Sequence, residues 1–329
     1  MKNVSILVPE SAVMEAGADP RYIFTAANQF LQASGEEPLF NVQLVGQSRE
    51  VSFLDGVFSV KTDKLLEEVD RTDLIIIPAL FGDMKTAVEK NKIAIPWIIA
   101  QYQKGAEVAS LCVGAFLLAS TGLLSGKQCS THWAFANDFR TMFPDVSLVD
   151  GRIITEEGRI YSSGGANSYW NLLLYLLEKY ADRETAILAA KYFAIDIDRE
   201  SQSAFTMFSG QKEHTDTEVK KAQEFIENNF TERISVDQLA DMFAVSRRSL
   251  ERRFKSATHN TISEYVQRVK IEAAKRSFEA TRKNITEVMF DVGYTDTKSF
   301  RTIFKKITGL TPIEYRNKYN KQVEVRQPF

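Results

Sequence analysis

Between residues 235 and 306 one short pattern occurs twice, and that repeat most constrains how the last third of the chain can fold. The first copy is Ser235-Val236-Asp237-Gln238-Leu239-Ala240, a gap, then Val245 to Lys255. The second is Ile285-Thr286-Glu287-Val288, then Gly293-Tyr294, then Thr297 to Lys306. Each copy predicts a short helix, a tight turn and a second helix with a basic outer face. Ser235 and Ser246 are N-caps, and Gln238, three residues after Ser235, is placed to complete a capping box. Ala240 is small enough for a second helix to cross closely.

Helical geometry then divides the side chains. Leu250 and Phe254 stand four apart and point inward, as do Phe300 and Phe304. Arg248, Arg252 and Lys255 therefore point away from the core, with Glu251 at the edge of that face. In the second copy Lys298, Thr302 and Lys305 point out, with Arg301 beside them. An exposed arginine can pair with guanine and a glutamate can accept from cytosine, so double-stranded DNA is the partner this pattern predicts. Between the copies, Ile262, Tyr265, Val266, Val269, Ala273 and Phe278 mark one amphipathic helix of about 18 residues, roughly 27 Å long. That is close to the ~34 Å between successive major-groove segments on one face of DNA. The competing reading is a helical bundle with solvated arginines and lysines.

A chain of 329 residues suits two domains. The net charge of −2 hides an asymmetry: from Asp216 onward 22 Lys+Arg face 16 Asp+Glu, against 19 and 27 before it. A basic end on an acidic body is a layout of nucleic-acid readers with an attached module. Two cysteines, Cys112 and Cys129, and three scattered histidines predict no disulfide framework, no metal site and no cofactor. The chain enters a strand-like run at Val4 without a signal-peptide core, and apolar runs such as Leu74 to Leu80 are far shorter than the ~20 residues of a membrane span. The expectation is a cytoplasmic protein without a membrane partner.

Residues 1–195 alternate strand and helix signals, which argues for an open, mostly parallel α/β sheet. Val4 to Val8, Val42 to Val45, Leu74 to Ile77 and Glu107 to Leu111 read as strands. Asp19-Pro20 reads as the start of a helix through Phe30, and Leu65 to Val69 as a short helix. Lys85 to Tyr102 reads as a helix interrupted by Pro96. Asn167 to Tyr180 carries a leucine stripe, and Ala186 to Phe193 continues helical. Residues 196–217 are polar and read as a linker, and 218–320 as an all-helical domain. Cys112 falls where a strand runs into the helix Gly114 to Ala119. There, helix N–H groups and the dipole are expected to lower its pKa, and the Val113 N–H is free to face an oxyanion.

Residues 234–319 resemble the AraC/XylS family of transcription regulators. The likeness rests on Leu239-Ala240, Val245-Ser246, Leu250 and Arg253-Phe254-Lys255, then on Ile285 to Val288, Val292-Gly293-Tyr294, Ser299-Phe300, Phe304-Lys305-Lys306, Gly309 to Pro312 and Tyr315-Arg316. Met289 stands where that family usually has Ala. The resemblance implies that Arg248, Glu251 and Arg252 face bases from the first unit, and Thr297, Lys298, Arg301 and Thr302 from the second.

Residues 1–195 resemble the ThiJ/PfpI branch of the class I glutamine-amidotransferase-like fold, a flavodoxin-like open parallel sheet, and more narrowly the sensor domains of GlxA-type regulators. The matching stretches include Ile6 to Pro9, Ala27-Asn28, Leu74 to Pro78, Cys112 to Ala119, Gly122 to Lys127, Ser130 to Trp133, and Arg199, Gln202 and Phe205. The resemblance implies a small-molecule effector in a pocket near Cys112, Val113, His132 and Glu15, homodimerisation, and a possible encounter with RNA polymerase. Val113 replaces the histidine that family enzymes carry after the cysteine, and neither Glu10 nor Glu15 falls cleanly at their acidic position. The turn Pro78 to Gly82 is not their glycine-rich one, and Asn171 stands where related regulators often have Asp. These departures leave Cys112 as a pocket wall or redox-sensing thiol, an inert elbow residue or a nucleophile. No catalytic residue is assigned. The function expected is a metabolite-controlled, sequence-specific DNA-binding transcription regulator; the alternative is a cysteine-dependent amidase or hydrolase fused to a DNA-binding domain.

Overall fold

A computed structural model describes residues 1–53, 56–197, 201–212 and 214–320. Arg199, one of the residues behind the resemblance, lies outside the described residues. The chain divides into two compact units between Gln202 and Ser203.

The first unit runs in chain order through β1 (Lys2–Val8), α1 (Met14–Ala33), β2 (Phe40–Gly46), β3 (Glu50–Phe53), β4 (Phe58–Lys61), β5 (Lys64–Leu65) and β6 (Leu74–Ile77). It continues with α2 (Met84–Lys90), α3 (Ala94–Gln103), β7 (Glu107–Ser110), α4 (Ala115–Ser120), β8 (Gln128–Cys129) and α5 (Ala136–Met142). The last elements are β9 (Ser147–Leu148), β10 (Ile154–Glu157), β11 (Ile160–Ser163), α6 (Tyr169–Tyr180) and α7 (Arg183–Tyr192). The main sheet has the order β10-β11-β7-β6-β1-β2-β5. Every neighbouring pair is parallel except β10 and β11. Leu74 to Ile77 are fully buried, as a central strand covered on both faces requires. Leu172, Leu173, Leu176 and Leu177 of α6 are buried in the same core.

Three local expectations are corrected. Helix α1 starts at Met14, so Asp19-Pro20 lies inside it. The start is fixed by tertiary contact rather than by a capping side chain: the Val13 N–H donates to Ala79 O at 2.8 Å. The Lys85–Tyr102 segment breaks at Asn91, not at Pro96. Asn91 is buried and bonds the backbone of Glu10 through both its Oδ1 (2.8 Å) and its Nδ2 (2.7 Å), which ends α2 there. Pro96 sits in the first turn of α3, where its missing N–H costs nothing. Finally, α7 is a separate helix, capped by Asp182 accepting from the Thr185 N–H at 2.7 Å.

The second unit is helical: α8 (Thr217–Asn228), α9 (Val236–Met242), α10 (Arg247–Thr258), α11 (Ile262–Ala280), α12 (Ile285–Asp291), α13 (Thr297–Thr308) and α14 (Pro312–Tyr319). The repeat extends well beyond the motif first seen. Ser246 and Asp296 cap α10 and α13, His259 and Gly309 end them in left-handed conformations, and Thr261 and Thr311 open the next helices with full capping boxes. Ser235 makes only the single cap to the Gln238 N–H, at 3.1 Å. Tyr265 and Tyr315 hold matching places, each bonding a glutamate, Glu227 and Glu279.

Helix α11 belongs to both copies. Ile262 and Tyr265 lie in one core with Leu239, Leu250 and Phe254. Ile271, Ala274 and Phe278 lie in the other with Phe300 and Phe304. One continuous helix therefore carries both cores, and this is the physical basis for presenting two copies together.

Of the stretch expected as a linker, residues 203–212 and 214–216 contact the second unit at several points. Ala204 O accepts from Tyr319 Oη at 3.3 Å, and the Phe208 N–H donates to Glu272 at 3.1 Å. Gln211 O accepts from Gln223 Nε2 at 3.0 Å. Asp216 caps α8 and also accepts two bonds from Arg253 of α10, at 2.5 and 2.7 Å. Those bonds hold its carboxyl below the usual carboxylate range. The segment thus straps both halves of the helical unit.

Candidate functional site

Two places carry chemistry. The first is the paired outer face of α10 and α13. Arg248, Glu251, Arg252 and Lys255 are all exposed, at the i, i+3, i+4, i+7 spacing of one helix face. Lys298, Arg301, Thr302 and Lys305 occupy the same four places on α13 and are also exposed, as is Thr297 at its first turn. The inward partners Leu250, Phe254, Phe300 and Phe304 are fully buried, so the orientation of each face is fixed by its core.

The charges differ in readiness. Glu251 is engaged by Arg247 Nε at 3.2 Å, and Arg247 also pairs with Asp237. Arg248, Arg252, Lys298 and Arg301 make no ion pair among the described residues. A cation without a partner is attracted to phosphate or a base edge without first breaking an internal bond. Arg253, part of the same sequence motif, is instead spent on Asp216.

The second place is the Cys112 elbow at the carboxyl end of β7. Cys112 adopts φ +55°, a left-handed conformation uncommon outside glycine. A Cβ on Gly114 would fall 2.5 Å from Pro78 O and 2.6 Å from Ile77 O, so only glycine lets the turn press against β6. Ser163 Oγ accepts from the Cys112 N–H at 3.1 Å, and Thr131 Oγ1 donates to Cys112 O at 3.2 Å.

Burial works against the thiolate that a helix start would favour. Cys112 is buried, and burial pushes its thiol up to about 12; the Val113 N–H, bonded toward the sulfur, opposes this only in part. The dipole expected to activate it is weak. The turn begins as a 3-10 segment, Cys112–Gly114, and α4 has only 6 residues. His132 is half-buried, and burial lowers its pKa, which favours the neutral ring. Its Nδ1 accepts from the Ala134 N–H at 3.1 Å and caps the following turn. Glu15 is exposed in the first turn of α1.

Sequence reasoning missed Tyr169 and Asp19. Tyr169 Oη donates to Asp19 Oδ2 at 2.7 Å, and burial, with that bond, raises the phenol's pKa. Reading Asp19 as a helix cap concealed it; one turn after Glu15 within α1, it shares Glu15's face. Among the described residues six side-chain polar atoms are buried without a partner, and three of them, Ser130 Oγ, Ser168 Oγ and Gln202 Oε1, belong to this part of the first unit. A Cβ on Gly165 would lie 2.5 Å from Ser168 Oγ and 3.3 Å from Gln202 Oε1, so both atoms border the same turn. Gln202 Nε2 donates to Thr131 O at 3.0 Å, which ties this corner to the elbow. Two cavities elsewhere in the unit, an apolar one of about 380 Å³ beside Val13, Tyr22 and Phe53 and a polar one of about 830 Å³ beside Glu10, Glu50 and Asp83, are lined by none of Cys112, Val113, His132 or Glu15.

The thiol burial makes a direct prediction. Iodoacetamide is expected to label the folded chain much more slowly than the urea-unfolded chain, because the reactive form is the thiolate. Equal rates would show that Cys112 is open and activated.

Residues 7–179, more than half of the chain, match the DJ-1/PfpI family, and residues 239–318 match a helix-turn-helix domain. The HTH-type transcriptional regulator GbdR of Pseudomonas aeruginosa is 27% identical over 288 residues, covering 87% of this chain and 77% of the relative. The HTH-type transcriptional regulator ArgR of the same species is 27% identical and covers 65% of each. A crystal structure of a transcriptional regulator protein from Vibrio parahaemolyticus covers 58% of this chain and 98% of that one, with a TM-score of 0.52 at 24% identity, and so shares the fold. Among the described residues no helix is long and apolar enough to cross a membrane. The chain belongs to the DJ-1/PfpI family and is built as its HTH-type transcription regulators are, with a C-terminal AraC-type helix-turn-helix domain.

Proposed function

We propose that the chain regulates transcription by reading two neighbouring segments of duplex DNA with α10 and α13, under the control of a small polar or amine-bearing metabolite held beside the Cys112 elbow. The observation that carries the first half is the pair of exposed faces at matching helix positions, each with cations that make no ion pair among the described residues. Arg248, Glu251 and Arg252 from the first copy, and Thr297, Lys298, Arg301 and Thr302 from the second, are the residues assigned to the bases.

The second half is supported by Ser130 Oγ, Ser168 Oγ and Gln202 Oε1, which are buried and lack partners among the described residues. Leaving such groups unmet is costly, and a ligand that meets them gains that energy. Gln202 Oε1 can only accept, which favours an N–H or O–H donor on the ligand. Gln202 is also the last residue of the first unit, and the strap along the helical unit begins at Ser203. A ligand that favours one arrangement of Gln202 would bias that strap, and only such differential binding can shift the balance. A homodimer would offer four helix-turn-helix copies to a repeated operator, raising affinity by linkage. RNA polymerase would be met at such a promoter.

A hydrolase is disfavoured by the protonated, buried thiol and by His132, whose Nδ1 is occupied. The test is a thermal-shift screen of small amines and amino acids against the whole chain and its Gln202→Ala variant. A ligand at about 100 times its Kd adds about 2.7 kcal/mol of stability. Stabilisation of the parent that is lost in the variant supports the sensor; amide turnover abolished by Cys112→Ser would replace it with the hydrolase.

A further inference from the structure

The two copies of the helical unit differ in the loop that precedes their first helix. After α11 the chain needs four residues, 281–284, to reach α12; after α8 it takes seven, 229–235, to reach α9. The longer loop of the first copy carries Phe230, which packs on the core of the second copy, and Thr231. Thr231 O lies so close to Gly293 that a Cβ there would be 1.9 Å away. Gly293 is the turn residue between α12 and α13, at φ +75°. Its counterpart in the first copy is Ala244, which holds a similar left-handed conformation at φ +53°. Conformation alone therefore does not demand glycine in this turn; the carbonyl of the first copy's loop does.

The second departure faces the same point. Asn320, five residues after Tyr315, closes the end of α11 by donating to Phe278 O (2.6 Å) and Thr281 O (2.7 Å). The residue five after Tyr265 is Lys270. It is buried, its Nζ donates to Gly293 O at 3.0 Å, and it lies 5.4 Å from the Tyr294 ring centre. A Cβ on Gly293 would also fall 2.8 Å from that Nζ. A buried ammonium held by a turn carbonyl and an aromatic face fixes the turn against α11.

We propose that Lys270, with Phe230 and Thr231 of the longer loop, is a positioning device that sets the angle between α10 and α13 and so fixes the spacing of the two DNA segments the chain accepts. Lys270 is buried on α11, away from the exposed faces of α10 and α13. It acts through Gly293, the residue that aims α13. Adding one base pair between two segments rotates one against the other by about 34°. A locked angle makes that rotation costly, and a loosened one lets α13 follow.

This rests on the two-segment reading of DNA, and the experiment separates the two claims. Duplexes are selected from a random pool by the intact chain, and the spacer between the two protected segments is then lengthened and shortened by one and two base pairs. The parent is expected to lose about tenfold or more in affinity per base pair of spacer change. Lys270→Met is expected to weaken binding at the selected spacer and to flatten this dependence to within about threefold, whereas Lys270→Arg restores the steep profile. Phe230→Ala, a milder change on the same wedge, is expected to flatten it as well and serves if Lys270→Met does not fold. A uniform loss at all spacers, or an unchanged profile in a folded variant, overturns the positioning role. Recovery of duplexes with a single protected segment overturns the two-segment reading instead.

Discussion

Phe304→Ala is expected to destabilise the second helix-turn-helix copy by about 3–5 kcal/mol, the range for removing a buried phenylalanine. Phe304 is fully buried. Its ring centre lies 5.7 Å from those of Phe278 and Phe300 and 5.5 Å from that of Tyr315, so one ring joins α11, α13 and α14. Each contact is edge-on or tilted, an arrangement that adds to simple burial. Small neighbours cannot fill the space, because the aromatics around it are held by their own bonds, such as that of Tyr315 to Glu279. Chemical denaturation of the whole chain should show an early transition, with the first unit unfolding as in the parent. A single unchanged transition would place Phe304 outside the core.

Arg252→Ala is expected to cost about 1–3 kcal/mol of specific binding and to relax selectivity at one base pair, as loss of a two-pronged contact to guanine does. The reasoning is geometric. Phe254 and Leu250 fix the roll of α10, which leaves the Arg252 guanidinium exposed, and no carboxylate pairs with it among the described residues. Titration of selected and unrelated duplexes at several salt concentrations reads the result. Equal loss on both, with the salt slope reduced by about one, would show that Arg252 meets only phosphate.

The α/β sheet and the paired helices were legible because burial writes a period into the sequence. Leu74 to Ile77 could only be a strand covered on both faces, and the fourfold spacing of Leu250 and Phe254, and of Phe300 and Phe304, gave both the helices and their outward faces. Features decided by distant partners were not legible. The start of α1 depends on Ala79, the end of α2 on Glu10, and the placement of Ala204, Phe208, Gln211 and Asp216 on residues of α14, α11, α8 and α10. The elbow at Cys112 was found from strand followed by helix, but its electrostatics were read with the wrong sign. Local sequence shows a helix start beside a cysteine; it does not show how deeply that cysteine is buried, and burial dominates. Asp19 and Tyr169 were hidden because their contact joins residues 150 positions apart.

The central claim is that two cationic helical faces on one rigid unit occupy two segments of the same duplex. Hydroxyl-radical footprinting of the intact chain on a duplex selected from a random pool tests it most directly. The account predicts two protected segments about one helical turn apart on one face of the DNA, the first weakened by Arg252→Ala and the second by Arg301→Ala. A single protected segment, or two that weaken together with either change, would contradict it.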